Sequence, residues 1–239
     1  MEIDPSRLDS AEIYKILIGS VLPRPIGWAS TLSKDGIANL APFSFFTVVS
    51  RKPPMVSLTI QPRSNRTQLK DTLINARETG EFVVNIVSFE QANQMHKTAA
   101  EVDPEVDEFT VAGLERIASA VVRPPRVAGA PVAMECKVET ILPMGEVGDH
   151  LVIGRVERFH VRDDVWLDSG RLDTTAIRPV GRLAAEYAMT EQVFACPVPD
   201  TLLAEYSARR IRRIDGKPLG WSPIDEKSWS ASGSVTLAK

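Results

Sequence analysis

The chain carries six or seven strand-like segments that are joined by hairpin turns more often than by helices, and this limits its fold more than any other feature. Residues 55–60 alternate apolar and polar side chains, as a half-buried strand does. Two longer runs at 132–143 and 150–161 are typical of one antiparallel hairpin, and Asp35-Gly36 signals another tight turn. A doubly wound parallel sheet would need regular strand–helix alternation, which is missing. We expect a mainly β protein with helices, whose antiparallel strands close into a barrel.

Three helices are expected beside these strands, at 10–18, 67–79 and 89–98. Ser10 precedes the apolar positions of the first helix and is predicted to cap it. The acidic segment at 102–113 lacks the alternation and the glycine of a calcium-binding EF-hand loop. We therefore expect that segment to be a solvated loop with little regular structure.

The composition argues against several classes of function. Hydrophobic residues make up 44% of the 239 residues, which is enough for one large core. The net charge of −3 does not favour a nucleic-acid or membrane-surface partner. No apolar run reaches the roughly 18 residues that span a bilayer, and the N-terminus lacks the apolar region of a signal peptide. We expect a cytoplasmic protein with neither membrane nor nucleic-acid partners.

Metal ligands are too scattered in the sequence to predict a metal site. Cys136 and Cys196 do not have the spacing of a metal motif, and two cysteines in a chain of this length do not make a disulfide framework. His96, His150 and His160 fall outside any zinc-binding pattern. We expect reduced thiols and no bound metal.

Polar residues interrupt the apolar pattern of the segment at 39–46. Asn39 and Ser44 stand where a core strand would carry apolar side chains, and a buried polar group without a partner costs about 1–3 kcal/mol. A planar ligand with a polar edge would supply the missing partners. Backbone N–H groups from Ala41 to Ser44 could bond such a ring, and Pro42 would hold the loop rigid.

The segment that joins the strand at 55–60 to the next helix carries groups suited to phosphate. Free backbone N–H groups at a helix start, with cations beside them, form a ready anion site. An ordinary capped helix with a solvated basic face is the alternative. The candidate caps are Ser64, Asn65 and Thr67, and the cations are Arg63, Arg66 and Lys70.

His150 follows Gly148-Asp149 and opens a predicted strand. Histidine in such a place could position a substrate or supply a proton. It could equally be a half-exposed polar residue.

Common nucleotide-binding and hydrolase motifs are missing from the sequence. They are the Rossmann fingerprint, the P-loop and the nucleophile elbow, so whatever the chain binds, it does not use the common nucleotide motifs.

Seven short motifs occur in an order that resembles the flavin reductase-like, FMN-binding split-barrel family. Each is weak alone, but their common order over residues 10–187 is specific. They are Arg24–Thr31, Asn39–Phe46, Ser50–Pro54, Lys70–Thr72, Gly80–Asn85, Asp107–Phe109 with Ala112–Leu114, and Gly148–His150 with Ile153–Val156.

The resemblance implies a six-stranded antiparallel split β-barrel in residues 1–190, usually a homodimer, with FMN, or FAD as the alternative, near the subunit interface. Residues 191–239 would be a C-terminal extension of unknown role. The segment Arg182–Tyr187 carries alanines where family members often have glycines. The flavin ring and ribityl would contact Trp28, Ala29, Ser30, Thr31, Asn39, Ala41, Pro42, Phe43 and Ser44, and the ribityl and phosphate would contact Thr59, Arg63, Ser64, Lys70, Asp71 and Thr72.

The function implied by the resemblance is that of an NAD(P)H-dependent flavin reductase. Such an enzyme passes electrons to free flavin, to a partner monooxygenase or to oxygen, and His150 would act at its catalytic centre. Two alternatives stay open. One is a carrier or electron-transfer protein that binds FMN without turnover, and the other is a split-barrel oxidoreductase that acts on an organic substrate.

Overall fold

The computed structural model describes residues 1–190 and the backbone of four short strands at Phe194–Ala195, Ile211–Arg213, Ser222–Pro223 and Val235–Leu237. Cys196 and most of the predicted extension lie outside the described residues. The contacts divide the chain into two units, residues 1–160 with 180–188, and residues 161–179 with 189–239. The expected boundary at residue 190 stays a prediction.

The first 190 residues contain fourteen strands and five α-helices. None of these helices is long and apolar enough to cross a membrane. The strands are β1 Arg24–Pro25, β2 Gly27–Leu32, β3 Ala38–Phe43, β4 Phe46–Arg51, β5 Pro54–Ile60, β6 Glu81–Ile86, β7 Arg116–Ile117, β8 Arg126–Val127, β9 Val132–Met144, β10 Asp149–Val161, β11 Trp166–Leu167, β12 Arg171–Leu172, β13 Val180–Arg182 and β14 Tyr187–Met189. The helices are α1 Ser10–Ser20, α2 Asp71–Thr79, α3 Ala92–Lys97, α4 Glu108–Ala112 and α5 Thr174–Ile177.

One sheet of seven strands forms the frame of the first unit, in the order β3-β2-β6-β9-β10-β5-β4. Its two edge strands, β3 and β4, follow each other in the chain and are separated only by Ser44 and Phe45. Three residue steps span no more than about 10 Å, so the two ends of the sheet must lie close together and the sheet curls into a split barrel. The expected fold class is confirmed, but the main sheet has seven strands rather than six.

Two apolar clusters lie on opposite faces of the curled sheet. The cluster inside the barrel includes Leu58, Phe82 and Val152. Gly154 on β10 makes room for the ring of Phe82, because a Cβ at this position would overlap that ring. Strand β2 contributes Ala29 to this cluster and Trp28 to the outer cluster, so both of its faces are buried.

The outer cluster explains why one local prediction was wrong. The acidic segment at 102–113 was expected to be a solvated loop, but α4 lies within it and packs Phe109 into the outer cluster. Asp107 caps this helix by accepting the Phe109 N–H at 3.0 Å, and Gly113 ends it in the left-handed conformation. Glu108 is buried with the helix.

Helix starts also differ from the sequence predictions. Asp9, rather than Ser10, caps α1, since its side chain accepts the N–H groups of Ala11 and Glu12. Helix α2 begins at Asp71, four residues after the expected start. The backbone at 63–68 instead folds into a tight loop, in which the Arg63 N–H donates to the Gln68 carbonyl at 2.8 Å.

A buried carboxylate holds the segment between β7 and β9. Glu135 on β9 is fully buried and accepts the backbone N–H groups of Ala120 at 2.7 Å, Val121 at 2.6 Å and Val122 at 3.1 Å. It also contacts Nε2 of His160. Burial raises the pKa of Glu135, but these hydrogen bonds outweigh burial and hold its pKa below the ordinary value.

We predict that Glu135→Gln lowers the free energy of unfolding at pH 7 by at least about 2 kcal/mol, because an amide NH₂ would face backbone donors that then lack an acceptor. The native carboxylate has the lower pKa, so its contribution is present above the unfolded-state pKa of about 4.3 and is lost as the pH falls below it. Urea unfolding at pH 7 and at pH 3 should therefore show the difference between wild type and variant shrinking in acid.

The control is Glu139→Gln, which removes an exposed charge from the same strand and should change stability by less than about 0.5 kcal/mol. A Glu135→Gln protein as stable as this control at pH 7 would contradict the anchoring role.

Candidate functional site

A cleft of about 220 Å³ opens at the junction of the two edge strands. Its walls come from α1, from the end of β3 and the residues after it, from β5, from α3 and from the segment at 182–187. The side chains of Lys70 and Gln61 bring polar groups to it, and Phe43, Phe45 and Met95 bring apolar ones. The remaining lining residues are Tyr14, Ile26, Pro42, Ser44, Thr59, His96, Ala99, Arg182 and Tyr187.

A smaller side cavity of about 50 Å³ shares four wall residues with the cleft, namely Pro42, Phe43, Lys70 and Ala99. The two are therefore adjacent parts of one site. The side cavity is more strongly charged, because Arg63, Asp71, Glu101 and Glu108 line it along with Lys70. Its other lining residues are Asn39, Ala41, Thr72, Thr98, Ala100 and Val102.

Histidine and tyrosine meet at the wall of the cleft. Nδ1 of His96 lies 2.9 Å from the hydroxyl of Tyr187, and the two rings are edge-to-face with centroids 5.8 Å apart. The guanidinium of Arg182 stacks 4.6 Å from the centre of the Tyr187 ring. This group can donate hydrogen bonds, exchange a proton and attract an anion.

Sequence reasoning missed all three of these residues. His96 was one of three scattered histidines, and it meets Tyr187 across 91 positions of sequence. The segment Arg182–Tyr187 attracted attention only for its alanines. The one available signal was that this segment lies at the C-terminal end of the region that resembles the family. That position alone gave no role to its polar side chains.

At the far side of the site, a carboxylate is held by a hydroxyl, a backbone N–H and an ammonium group. Glu101 accepts the Ser64 N–H at 2.9 and 3.1 Å, the Ser64 hydroxyl at 2.7 Å and the Lys70 ammonium at 3.1 Å. Burial raises the pKa of Glu101, but the bonds from Ser64 and Lys70 outweigh it and hold the pKa below the ordinary value.

Arg63, expected to contact phosphate, is already engaged by the protein. Its Nη2 lies 2.5 Å from a carboxylate oxygen of Asp71, and its Nη1 donates to the Val102 carbonyl at 2.9 Å. Both side chains of the ion pair are only 14% exposed. Burial raises the pKa of Asp71, and the neighbouring Arg63 offsets only part of that shift.

The polar side chain of Asn39 also has its partners within the protein. Its Oδ1 accepts hydrogen bonds from the hydroxyls of Thr31 at 3.1 Å and Thr72 at 2.7 Å, and its Nδ2 donates to Glu108 at 2.8 Å. Glu108 also accepts the Leu40 N–H at 3.0 Å. The premise that Asn39 needs a bound ring to satisfy it is therefore wrong.

Burial raises the pKa of Glu108, although the bonds from Leu40 and Asn39 favour its charged form. Ser44 has a protein partner too, because Nε of Arg24 donates to its hydroxyl at 3.3 Å. Unlike Glu108, Ser44 still lines the cleft.

The strand at 28–31 lies in the core. Trp28, Ala29, Ser30 and Thr31 are fully buried, and none of them is among the described residues that line the cleft or the side cavity. Trp28 Nε1 donates to the Thr98 hydroxyl at 2.9 Å, and the Ser30 hydroxyl donates to the Pro125 carbonyl at 2.5 Å.

His150 lies at the start of β10, where it pairs with Ile60, and its Nδ1 is 2.8 Å from the carbonyl of Gly148. It is not among the described residues that line either cavity. The structure thus brings His96, rather than His150, to the cleft.

The other predicted residues divide between the two cavities. Ser64 lines neither cavity, but it donates hydrogen bonds to Glu101, which lines the side cavity. Within the described part of the chain, no group of three or more acidic, histidine or cysteine side chains could hold a metal ion. Pro42, Phe43, Ser44, Thr59 and Lys70 line the cleft, and Asn39, Ala41, Pro42, Phe43, Arg63, Lys70, Asp71 and Thr72 line the side cavity.

Comparison with known proteins gives consistent matches. Residues 18–172 match the family model described as a flavin reductase like domain. An uncharacterised protein from Halalkalibacterium halodurans is 39% identical over 204 residues, which cover 83% of this chain and 97% of that protein.

Two solved structures are similar in both sequence and fold. Nitrilotriacetate monooxygenase component B from Bacillus cereus is 36% identical, with a TM-score of 0.76, over 79% of this chain and 95% of that one. The 2-nitrobenzoate 2-nitroreductase NbaA from Pseudomonas fluorescens is 28% identical, with a TM-score of 0.74, over 83% of this chain and 96% of that one.

Proposed function

Because the chain belongs to the flavin reductase-like domain family, we propose that it is an FMN-binding oxidoreductase, and specifically an NAD(P)H-dependent flavin reductase. The observation that carries this proposal is the joined cleft and side cavity. Apolar side chains form the walls of one part, and in the other part Ser64 and Lys70 hold the carboxylate of Glu101. Elongated ligands with an apolar ring and an anionic tail suit such a site.

The donor set at 64–70 fits the phosphate of FMN. A backbone N–H, a hydroxyl and an ammonium group are typical phosphate ligands, and here they already hold the carboxylate of Glu101. We assign the phosphate to Ser64 and Lys70, and the ring to the wall formed by Pro42, Phe43 and Ser44. Arg63, which is bonded to Asp71 and to the Val102 carbonyl, would act by holding the loop in place.

When bound, FMN supplies the redox chemistry by taking a hydride from reduced nicotinamide and passing electrons to an acceptor. The chain supplies binding, orientation and charge. The backbone N–H of Ser44, which follows β3, would favour an electron-rich ring edge. His96, Tyr187 and Arg182 stand on the cleft wall, where they can orient a nicotinamide or another substrate.

Two neighbours bear on the electron acceptor. The Bacillus cereus protein is named as one component of a monooxygenase, which supports an acceptor or partner of that class for this chain. The Pseudomonas fluorescens protein is named as a nitroreductase, which supports the second candidate, direct reduction of an organic substrate in the cleft. FMN binding without turnover remains a third candidate.

We place the activity in the cytoplasm, where a buried free thiol such as Cys136 stays reduced.

We predict that the purified protein binds FMN at micromolar concentration or tighter, and that NADH or NADPH added under nitrogen bleaches the flavin absorbance. Steady-state turnover, with oxygen or free flavin as the acceptor, would be measured as oxidation of the reduced nicotinamide at 340 nm. Bleaching by neither nucleotide would reject the reductase. Loss of nitroaromatic absorbance with reduced FMN present would then favour the second candidate.

We predict that His96→Ala slows anaerobic reduction of the bound flavin by about tenfold or more, because hydride transfer needs an oriented nicotinamide and the cleft loses a group, held by Tyr187, that can orient it. Stopped-flow reduction measures this rate, and flavin titration shows whether binding is retained. His150→Ala, the residue assigned to catalysis from the sequence, is the comparison. If His150→Ala slows reduction more than His96→Ala, the original assignment is right and the role given to His96 is wrong.

A second copy of the chain is the partner that we propose for an exposed apolar surface, defined by Ile16, Leu17 and Val21 at helix α1 and by Val48 and Val49 on edge strand β4. These side chains are 43–67% exposed, and α1 has no buried residue. Tyr14 on the same helix lines the cleft, so a second copy on this surface would extend the cleft. One cleft of 220 Å³ is smaller than the roughly 300–1,000 Å³ of typical ligand pockets.

We predict that the wild-type protein sediments with twice the mass of one chain and that Leu17→Lys with Val48→Lys sediments as a monomer, because buried apolar contacts would be replaced by buried charges. Val111→Lys is the control, since Val111 is 51% exposed on α4, an element that contributes no residue to this surface. A monomeric wild type, or a double variant that stays dimeric, would rule out this interface.

A further inference from the structure

The carboxylate of Glu101 occupies the position that the proposed function gives to an anionic ligand group. Three different donors converge on it: the Ser64 N–H, the Ser64 hydroxyl and the Lys70 ammonium, all within 2.7–3.1 Å. Lys70 also lines the cleft. The same ammonium group is therefore shared between an internal carboxylate and the space where a ligand would lie.

The donors belong to a preformed loop. Arg63 donates its N–H to Gln68, Arg66 donates its N–H to Arg63, and the Asn65 side chain accepts the N–H groups of Thr67 at 3.0 Å and Gln68 at 3.2 Å. These bonds do not involve Glu101. Removing the carboxylate would thus leave the Ser64 N–H in place and free to bind another anion.

Glu101 itself sits on a segment that is anchored elsewhere. The next residue, Val102, accepts a hydrogen bond from the largely buried Arg63. The Glu101 and Lys70 side chains, in contrast, are 29% and 28% exposed. An ion pair with this exposure is weaker than a buried one, so the carboxylate can turn toward water, and release Ser64 and Lys70 to an incoming anion, while the backbone stays where it is.

We propose that Glu101 is an internal competitor for the phosphate of the flavin, and that it sets how strongly the protein prefers FMN to unphosphorylated flavin. This inference rests on the proposed function. In the free protein the carboxylate neutralises Lys70 and satisfies Ser64. Binding a phosphate there requires its displacement, so part of the phosphate's binding energy is offset and the bound FMN is easier to release.

The geometry indicates which of the two ion pairs opens when an anion binds. Asp71 and Arg63 are both 14% exposed and 2.5 Å apart, and separating them would leave a buried charge unpaired. Glu101 and Lys70 are farther apart, at 3.1 Å, and twice as exposed. The pair that opens is therefore Glu101–Lys70, and the pair that stays closed is Arg63–Asp71.

The test compares FMN with riboflavin, which has the same ring but no phosphate. Glu101→Gln should lower the Kd for FMN by about fivefold and leave the Kd for riboflavin unchanged within about twofold. Both constants can be measured by flavin fluorescence quenching in the flavin-free protein. Lys70→Met should have the opposite effect, weakening FMN and sparing riboflavin, and it gives a second measurement if one variant folds poorly.

Asp103→Asn is the matched control, because it removes an exposed carboxylate from the same acidic segment without touching Ser64 or Lys70. It should leave the ratio of the two Kd values as in wild type. An unchanged or weaker FMN affinity in Glu101→Gln, or an equal gain for riboflavin, would overturn this inference alone. If wild type binds neither flavin, the proposed function fails and this inference fails with it.

Discussion

The two-residue junction between the edge strands is the constraint on which the rest of the site depends. Ser44 and Phe45 join β3 to β4, and so they force the first and last strands of the sheet together. Phe45 is fixed to β5 because its carbonyl accepts the Thr59 N–H at 2.8 Å. Ser44 is fixed by Arg24, which also donates to the Leu183 carbonyl at 2.6 Å. The closure of the barrel therefore places one wall of the cleft and ties it to the segment that carries Tyr187.

The strands were predictable because their signals are local. Alternating side chains and turn residues identified β5, the β2–β3 turn and the β9–β10 hairpin, and this was enough for the fold class. Helix α4 was missed because it lies in an acidic segment, and its burial depends on a carboxylate that bonds Asn39 and the Leu40 N–H some 70 residues away in the chain. Strand β4 was missed because its partners lie only on one side and its side chains are largely exposed.

The site was predictable only in part, for the same reason. Lys70 and the residues at 42–44 lie in motifs that can be read along the chain, Thr59 lies in the strand predicted at 55–60, and all of them line the cleft. His96 meets Tyr187 across 91 positions, and Ser64 meets Glu101 across 37. Contacts of this kind follow from tertiary packing, and local pattern does not encode them. Asn39 was singled out as a polar residue in an apolar strand, but packing gave it partners inside the protein, the hydroxyls of Thr31 and Thr72.

The charges of the side cavity show how one site can be both ordered and exchangeable. Burial makes the Arg63–Asp71 pair expensive to open, so the Arg63 side chain stays in place, and its hydrogen bond to the Val102 carbonyl holds the loop at 63–68 against the segment at 101–102. The more exposed Lys70–Glu101 pair lies next to it and costs less to open. An anionic ligand that approaches from the cleft meets Lys70 first, because Lys70 belongs to both cavities. The buried pair thus preserves the geometry of the donors, while the exposed pair adjusts their occupancy.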